Sequence, residues 1–529
     1  MLDTLMKNAL ILDGTGNKAY PGALGIKDGK LCTAVNALTP AKEVIDARGR
    51  YLAPGFIDAH SHGDITFPLA FSMEAKLCQG ITTHVAGQCG QSVFPCGPGF
   101  ENEYREICSF ANENPPEEWT KFTSAGAFLD TLNRTPLALN MATFVGHNAL
   151  RAAVMGYANR EPTPEELEKM CALLAEAMER GCMGLSTGLI YMPGCFSHFP
   201  EVLALARVVK AYNGIYVTHM RDEADRVTQA VEEVLSIGRE TGVRLWISHH
   251  KVAGHINWGR SKETLRLIDQ ALSEGLDVTL DQYPFPASMT ELAACFPPER
   301  MMVGAHQFIE NLKDPDFRKT VVQEMNTKSA YESTFLNAGS FHRIQFSGSW
   351  AIPEAEGMRV DDYAKKVGKD PFDALFDVYS ANQGSINGVY YTMNEADVER
   401  IFQHPRTVIG TDGITRSAGE KTHPRAFGSF PRAINYFVKE KKLMTLEECI
   451  NKGTGRTAAA FGFANKGRIA EGLDADLVLF DYDLLSNCAT FDHPDRPCDG
   501  ILKVIVAGQT VYEKGAMTEA RPGRFLPRP

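Results

Sequence analysis

Residues 54–64, PGFIDAHSHGD, govern how the rest of the chain is read. The run Phe56-Ile57-Asp58 is strand-like, follows a Pro-Gly turn signal, and leads into two histidines one residue apart. Alternate residues of a strand share a face, so Asp58, His60 and His62 point together if the strand stays regular. An His-x-His pair is a two-toothed clamp for a metal ion, yet taken alone such a pair is more often structural. Its weight depends on whether other strands end the same way.

Working outward, seven further strand-like runs alternate with helical patterns. They are ITTHVAGQCG (81–90), NMATFVGH (140–147), GCMGLSTGLIY (181–191), GIYVTHMRD (214–222), RLWISHHK (244–251), DVTLDQYP (277–284) and RTVIGTDG (406–413). The clearest helix starts at Thr163-Pro164-Glu165 and puts Leu167, Met170, Cys171, Leu174 and Met178 on one stripe. Others are expected over Val227 to Ile237 and Leu265 to Leu272. Strands alternating with helices signal βαβ units and a parallel sheet, and eight strands is the count of a (β/α)8 TIM-like barrel. Six of the runs end in a residue able to bind metal or move protons: His62, Cys89, His147, His219, His249 and Asp412. In such a barrel the C-terminal strand ends converge on one mouth, which makes these distant residues neighbours.

The two ends of the chain read differently, as short strands joined by turns such as Asp28-Gly29. The α/β chain is therefore divided into a small β-sandwich domain from 1–54 and 465–529 and a barrel over 55–464. About sixty proline-containing residues after the seventh strand, 285–345, read as an inserted lid at the mouth. A length of 529 residues admits about three domains, although barrels often run longer as one unit.

Composition excludes several classes of function. With 44% apolar and 22% charged residues the chain is ordinary globular material, and its net charge of -11 repels a phosphate backbone. No apolar run approaches the ~20 residues needed to span a bilayer, and the N-terminus lacks the pattern of a secretory signal. The expectation is a cytoplasmic protein acting on a small molecule, with no nucleic-acid or membrane partner and an undecided oligomeric state. The 12 cysteines show no C-x-x-C pairing, which argues against a disulfide framework.

His219 and His249 supply two imidazoles and Cys89, in GQCGQS, a thiol; imidazole with thiolate is good donor chemistry for zinc. Glycines beside Cys89 let the backbone crowd close to an ion, while the other cysteines read as small buried hydrophobes. Ile247, His249 and Lys251 share one strand face, and Trp246, Ser248 and His250 the other. If Lys251 faces the mouth, His249 is the ligand and His250 packs or supports. Asp412 lies between Gly410 and Gly413, where a carboxylate could take a proton from a metal-activated water, though Asp before Gly is also a common turn pair. His147 reads equally as a site or a packing residue, and His84 faces away from the mouth. His198 either lines a pocket or faces solvent.

PGFIDAHSHGD, GQCGQS, VTHMRDE, SHHK and GTDG, in this order and spacing, resemble the amidohydrolase superfamily, and within it the D-aminoacylase (N-acyl-D-amino-acid deacylase) family, over nearly the whole chain. The resemblance implies zinc held tightly by Cys89, His219 and His249, with a weaker second site near His60 and His62 and Asp412 as catalytic acid/base. It also implies Lys251, Tyr283, Ser288 and Arg425 at the α-carboxylate of an N-acyl amino acid, and Tyr191 near the scissile amide. Cations and hydroxyls suit a carboxylate, and a planar guanidinium forks one well. The preference for D-amino acids comes from the resemblance alone.

Hydantoinase-like relatives bridge two metals with a carboxylated lysine on the fourth strand, and GCMGLSTGLIY has no lysine. Cys89 then stands as the substitute bridge or ligand, which favours the deacylases over a hydantoinase-like hydrolase of cyclic amides. A non-catalytic scaffold is a further alternative, weakened by the retained ligand set. Arg300 and Arg343 are available for an acidic substrate side chain, whereas Leu292, Phe296, Met301 and Met302 suit an apolar one; the expectation leans to neutral or apolar substrates.

Overall fold

The computed structural model describes residues 1–66, 70–111, 115–414 and 419–529. Eight parallel strands form the centre, and they are the eight runs read from the sequence. Phe56–Asp58, Ile81–Ala86 and Asn140–Thr143 pair in order. Val145–Gly146, directly after the last of these, pairs with Gly184–Gly188, and the sheet continues through Ile215–His219, Arg244–Ile247, Val278–Gln282 and Thr407–Ile409. The ring closes where Ala59 N donates to Ile409 O (3.1 Å) and Asp412 N donates to His60 O (2.9 Å). The fold is the (β/α)8 barrel expected from the sequence.

Helices cover the outside. Pro164–Glu179 starts on a capping box in which Thr163 accepts from Glu166 N and the Glu166 side chain accepts from Thr163 N, an arrangement worth about 1 kcal/mol. Met170, Leu174 and Met178 are buried, as their spacing requires. Val227–Thr241 and Ser261–Ser273 fill the other two expected helical positions. The barrel interior below the mouth is a packed core of Ile57, Val85, Phe144, Val217, Trp246 and Val408, sealed by Phe461 and Leu526. Trp246 stacks on Phe461 with centroids 4.4 Å apart, which adds about 1 kcal/mol to the area the rings bury. This packed floor leaves the C-terminal strand ends as the open face.

Both chain ends meet in one nine-stranded sheet. Leu2–Ile11 pairs with Tyr20–Lys27, Ala41–Asp46 and Tyr51–Pro54, and the last of these pairs with Leu477–Phe480, which leads on through Ile501–Val506 and Gln509–Glu513. The sheet curls around its own apolar core of Met6, Ile11, Leu24, Leu52, Leu477 and Ile505. The chain then leaves this sheet, and Leu526 N donates to Met141 O beside the barrel (2.7 Å).

The segment expected as a lid, 285–345, is the first part of a longer insertion. Ser288–Glu291, Ile344–Ser347 and Asn387–Tyr390 form an antiparallel sheet with Asn387–Tyr390 in the middle. Helices including Pro315–Met325 and Pro371–Ala381 pack on it around Leu292, Phe296, Phe308, Phe376 and Tyr379. No helix among the described residues is long and apolar enough to cross a membrane.

Candidate metal centre and active site

Three of the predicted site residues sit just beyond barrel strands with left-handed backbones: Cys89 at φ 55°, His249 at φ 32° and Asp412 at φ 47°. A non-glycine residue pays about 1–2 kcal/mol for this conformation, so the surrounding structure must hold it. Close approach of neighbouring backbone and side-chain atoms does so. A Cβ at Gly188 would stand 2.0 Å from Cys89 O, and one at Gly410 would stand 2.6 Å from the His60 Cβ and 2.8 Å from Asp281 Oδ1. Side chains at either glycine would push the ligand-bearing loops apart.

The turned side chains converge. Cys89 Sγ lies 3.3 Å from His60 Nε2 and 3.3 Å from His249 Nε2, and the His249 and His219 rings meet edge-on with centroids 4.6 Å apart. Asp412 Oδ1 lies 3.2 Å from His62 Nε2 and 3.6 Å from His60 Nε2. Two groups of ligand atoms result, each within 4.8 Å: Cys89 with His219 and His249, and Cys89 with His60, His62 and Asp412. All six residues are buried. His62 Nδ1 and both ring nitrogens of His219 have no properly aligned hydrogen-bond partner, an expensive state for buried polar atoms unless a ligand takes them. A thiolate with neutral imidazoles fits zinc, and Cys89 is common to both groups.

Electrostatics agree with that donor set. Burial opposes ionisation of Cys89, yet His60 and His249 hold its thiol well below the ordinary value. Burial likewise opposes charge on Asp412, but Arg425, Nη1 2.7 Å from Asp412 Oδ2, and His60 hold it well below the usual carboxylate range.

Two carboxylates that the sequence reading did not single out organise this centre. Asp281, on the seventh strand, lies 3.2 Å from His60 Nδ1 and accepts from His249 N (2.8 Å) and Trp246 Nε1 (2.7 Å). It therefore fixes both ligand groups at once. Glu223 accepts from Lys251 Nζ at 2.7 and 2.8 Å, and its two oxygens lie 3.2 Å from His219 Nε2 and His249 Nδ1. Carboxylates behind metal-binding imidazoles set ring orientation and basicity. An acidic residue inside an apolar strand was the available signal for Asp281; Glu223, in a polar loop, carried none.

Residues 43–512 match the amidohydrolase family. The chain is 34% identical to D-aminoacylase of Alcaligenes xylosoxydans xylosoxydans over 99% of its own length and 98% of that relative. It is 35% identical to N-acyl-D-glutamate deacylase of the same organism over 100% of its length and 97% of the relative's.

The chain belongs to the amidohydrolase family.

Its D-aminoacylase branch is shown by a third likeness, to the crystal structure of N-acyl-D-glutamate deacylase from Bordetella bronchiseptica complexed with zinc and a phosphonate mimic of the tetrahedral intermediate. That likeness has 35% identity, a TM-score of 0.83 and complete coverage of both chains. In this amidohydrolase the remaining predicted residues line one chamber with the ligand groups: Tyr191, Lys251, Tyr283, Ser288 and Arg425. Tyr191 meets the His219 ring edge-on at 5.0 Å, and its hydroxyl accepts from Thr290 (2.9 Å). Arg425 stacks over the Tyr283 ring at 4.6 Å and donates to Met289 O (3.0 Å) as well as pairing with Asp412.

Other histidines fall away from this chamber. His250 bonds Thr264 (2.8 Å), and burial lowers its pKa to about 4. His147 and Arg151 both hold Glu201 behind the third and fourth strands, His84 bonds Ser61 (3.0 Å), and His198 is exposed. Asp58, grouped with His60 and His62 on the assumption of a regular strand, instead binds Lys76 (2.6 Å) and Thr411 (2.7 Å). The strand ends at Asp58, and the backbone turns before His60.

Glu223→Gln is expected to raise KM for a carboxylate-bearing substrate about tenfold with a smaller effect on kcat, because Lys251 loses the anion that aims it. Steady-state kinetics at matched zinc content check this, and an unchanged KM would remove Glu223 from the account.

Proposed function

We propose that this amidohydrolase is a zinc-dependent deacylase that hydrolyses the linear amide of N-acyl-D-amino acids, giving a carboxylate and a free D-amino acid. The observation that carries the reading is Cys89 Sγ, 3.3 Å from imidazoles of both ligand groups, with the Asp412 carboxylate 3.2 Å from His62. The relatives named as D-aminoacylase and D-glutamate deacylase over full length supply the substrate class. Cys89, His219 and His249 would hold the tight zinc, and His60 and His62 with Cys89 a weaker second site. Zinc, when bound, supplies a lowered water pKa and polarisation of the acyl carbonyl.

The protein's own groups do the rest. Asp412, kept ionised by Arg425 and His60, accepts the proton of the attacking water and delivers it to the leaving nitrogen. Lys251, Tyr283, Ser288 and Arg425 would receive the α-carboxylate, with Tyr191 beside the scissile amide. Lys251, Tyr283, Arg425 and Asp412 are buried, which strengthens their interactions relative to water.

The fourth strand, Gly184–Gly188, has no lysine and carries Ser186. Its hydroxyl donates to Gly87 O (2.5 Å) and accepts from Gly90 N (3.1 Å), tying down the loop that bears Cys89. That use of the strand supports the deacylase reading over ring-opening of cyclic amides. All twelve cysteines are free thiols, which suits a reducing compartment such as the cytoplasm.

The test is a steady-state screen of N-acetyl-D- and N-acetyl-L-amino acids beside hydantoins and dihydropyrimidines, with zinc measured on the same preparation. Cleavage of D over L by about a hundredfold is expected. Ring opening without deacylation would overturn the assignment.

A further inference from the structure

We propose that Glu332 selects the substrate side chain, and that this enzyme takes N-acyl-D-amino acids whose side chain ends in a cation, an amine or a guanidine. The proposal rests on the deacylase reading and adds the substrate class to it.

Glu332 lines the same chamber as Tyr191, Lys251 and Asp412. Its carboxylate is fixed by two neutral donors, Glu223 N to Oε2 and Asn337 Nδ2 to Oε1, both at 2.6 Å. The chamber's long cationic side chains are already committed, Lys251 to Glu223 and Arg425 to Asp412. Arg300 pairs with Glu324, and Arg343 with His255 and Ala338 O, and neither lines the chamber. A D-glutamyl or D-aspartyl side chain would therefore bring a second carboxylate beside Glu332 in a chamber whose described Lys and Arg residues are both already paired. A second carboxylate there finds no countercharge and holds Glu332 in its neutral form, which disfavours an acidic substrate relative to a basic one.

The chamber opens into a cavity of about 990 Å³ that shares Gln91, Ile190, Tyr191 and Glu332 with it. Glu106 and Glu291 extend the acidic wall; Arg105 and His306 also line the cavity, and neither pairs with any of these acids. Glu106 accepts from Ala305 N (3.0 Å), whereas the Glu291 carboxylate has no hydrogen-bond partner among the described residues. Burial, then Asp222 and Glu223, pushes Glu332 up to about 8, and burial, then Glu106, pushes Glu291 up to about 7. Carboxylates in this state gain most from an incoming cation, which restores the ionised form and pairs it. Ile190 and the Tyr191 ring give a methylene stem an apolar path to that wall.

The test compares N-acetyl-D-lysine, N-acetyl-D-arginine, N-acetyl-D-leucine and N-acetyl-D-glutamate on the zinc-loaded full-length enzyme. We expect kcat/KM for the two basic substrates to exceed the others by about tenfold or more, and Glu332→Gln to cut the lysine-to-leucine ratio by about tenfold. Free D-lysine should also inhibit the wild-type enzyme at lower concentration than free D-leucine, a measurement that stands even if the variant does not fold. A preference for D-glutamate, an unchanged ratio in the folded variant, or equal inhibition by D-lysine and D-leucine overturns the selector. Cleavage of D-leucine without discrimination overturns the selector alone, and cleavage of none of the four overturns the deacylase reading with it.

Discussion

Cys89→Ala is expected to purify folded but nearly free of zinc, with kcat/KM reduced about a thousandfold, the equivalent of about 4 kcal/mol of transition-state stabilisation. The size of the effect follows from geometry: the Cys89 sulfur is shared by both ligand groups, so its loss dismantles each of them. It also leaves His60 Nε2 and His249 Nε2 facing one another across the gap without their anion. Unfolding is not the cause, because removing one sulfur from a buried position costs only about 1 kcal/mol while the barrel floor and helices stay intact. Metal analysis by plasma mass spectrometry and a thermal melt on one preparation separate the two effects. Wild-type zinc stoichiometry in a folded Cys89→Ala protein would remove the thiol from the centre.

Asp412→Asn is expected to behave in the opposite way, keeping its zinc and losing about a hundredfold to ten-thousandfold in kcat, the range over which positioned proton transfer contributes. Asparagine is nearly isosteric and still bonds Arg425, so the tight group of Cys89, His219 and His249 is untouched. What disappears is a base that Arg425 and His60 keep ionised against the cost of burial. Turnover with zinc content and KM measured in parallel checks this; near-normal kcat would mean that proton transfer is routed elsewhere. The two variants together distinguish holding the metal from moving the proton.

The eight strands were legible because each is a short apolar run bounded by turn residues, and the candidate ligands because barrel topology gathers strand ends at one mouth. His249 was separated from His250 by the alternation rule, and the structure gives His249 to the centre and His250 to Thr264. The rule gave that result beyond its range, since the strand stops at Ile247 and a left-handed backbone at His249 completes the turn. The same rule misled at Asp58, because the strand ends there and the backbone bends before His60, so the carboxylate goes to Lys76 instead. Glu223 and Glu332 escaped notice because single acidic residues in loops are too common to stand out, whereas Asp281 was marked only by being an acid inside an apolar strand.

The order of residue types along the chain thus determined the barrel, the list of groups able to bind zinc, and the family. Those properties follow from local periodicity and from a topology that admits few arrangements. Tertiary structure alone decided which donors share the Cys89 sulfur, which carboxylates orient them, and that Glu332, Glu106 and Glu291 line the cavity beside the site. These depend on side-chain directions set by left-handed turns at strand ends and by packing between distant segments, to which alternation along one strand is blind.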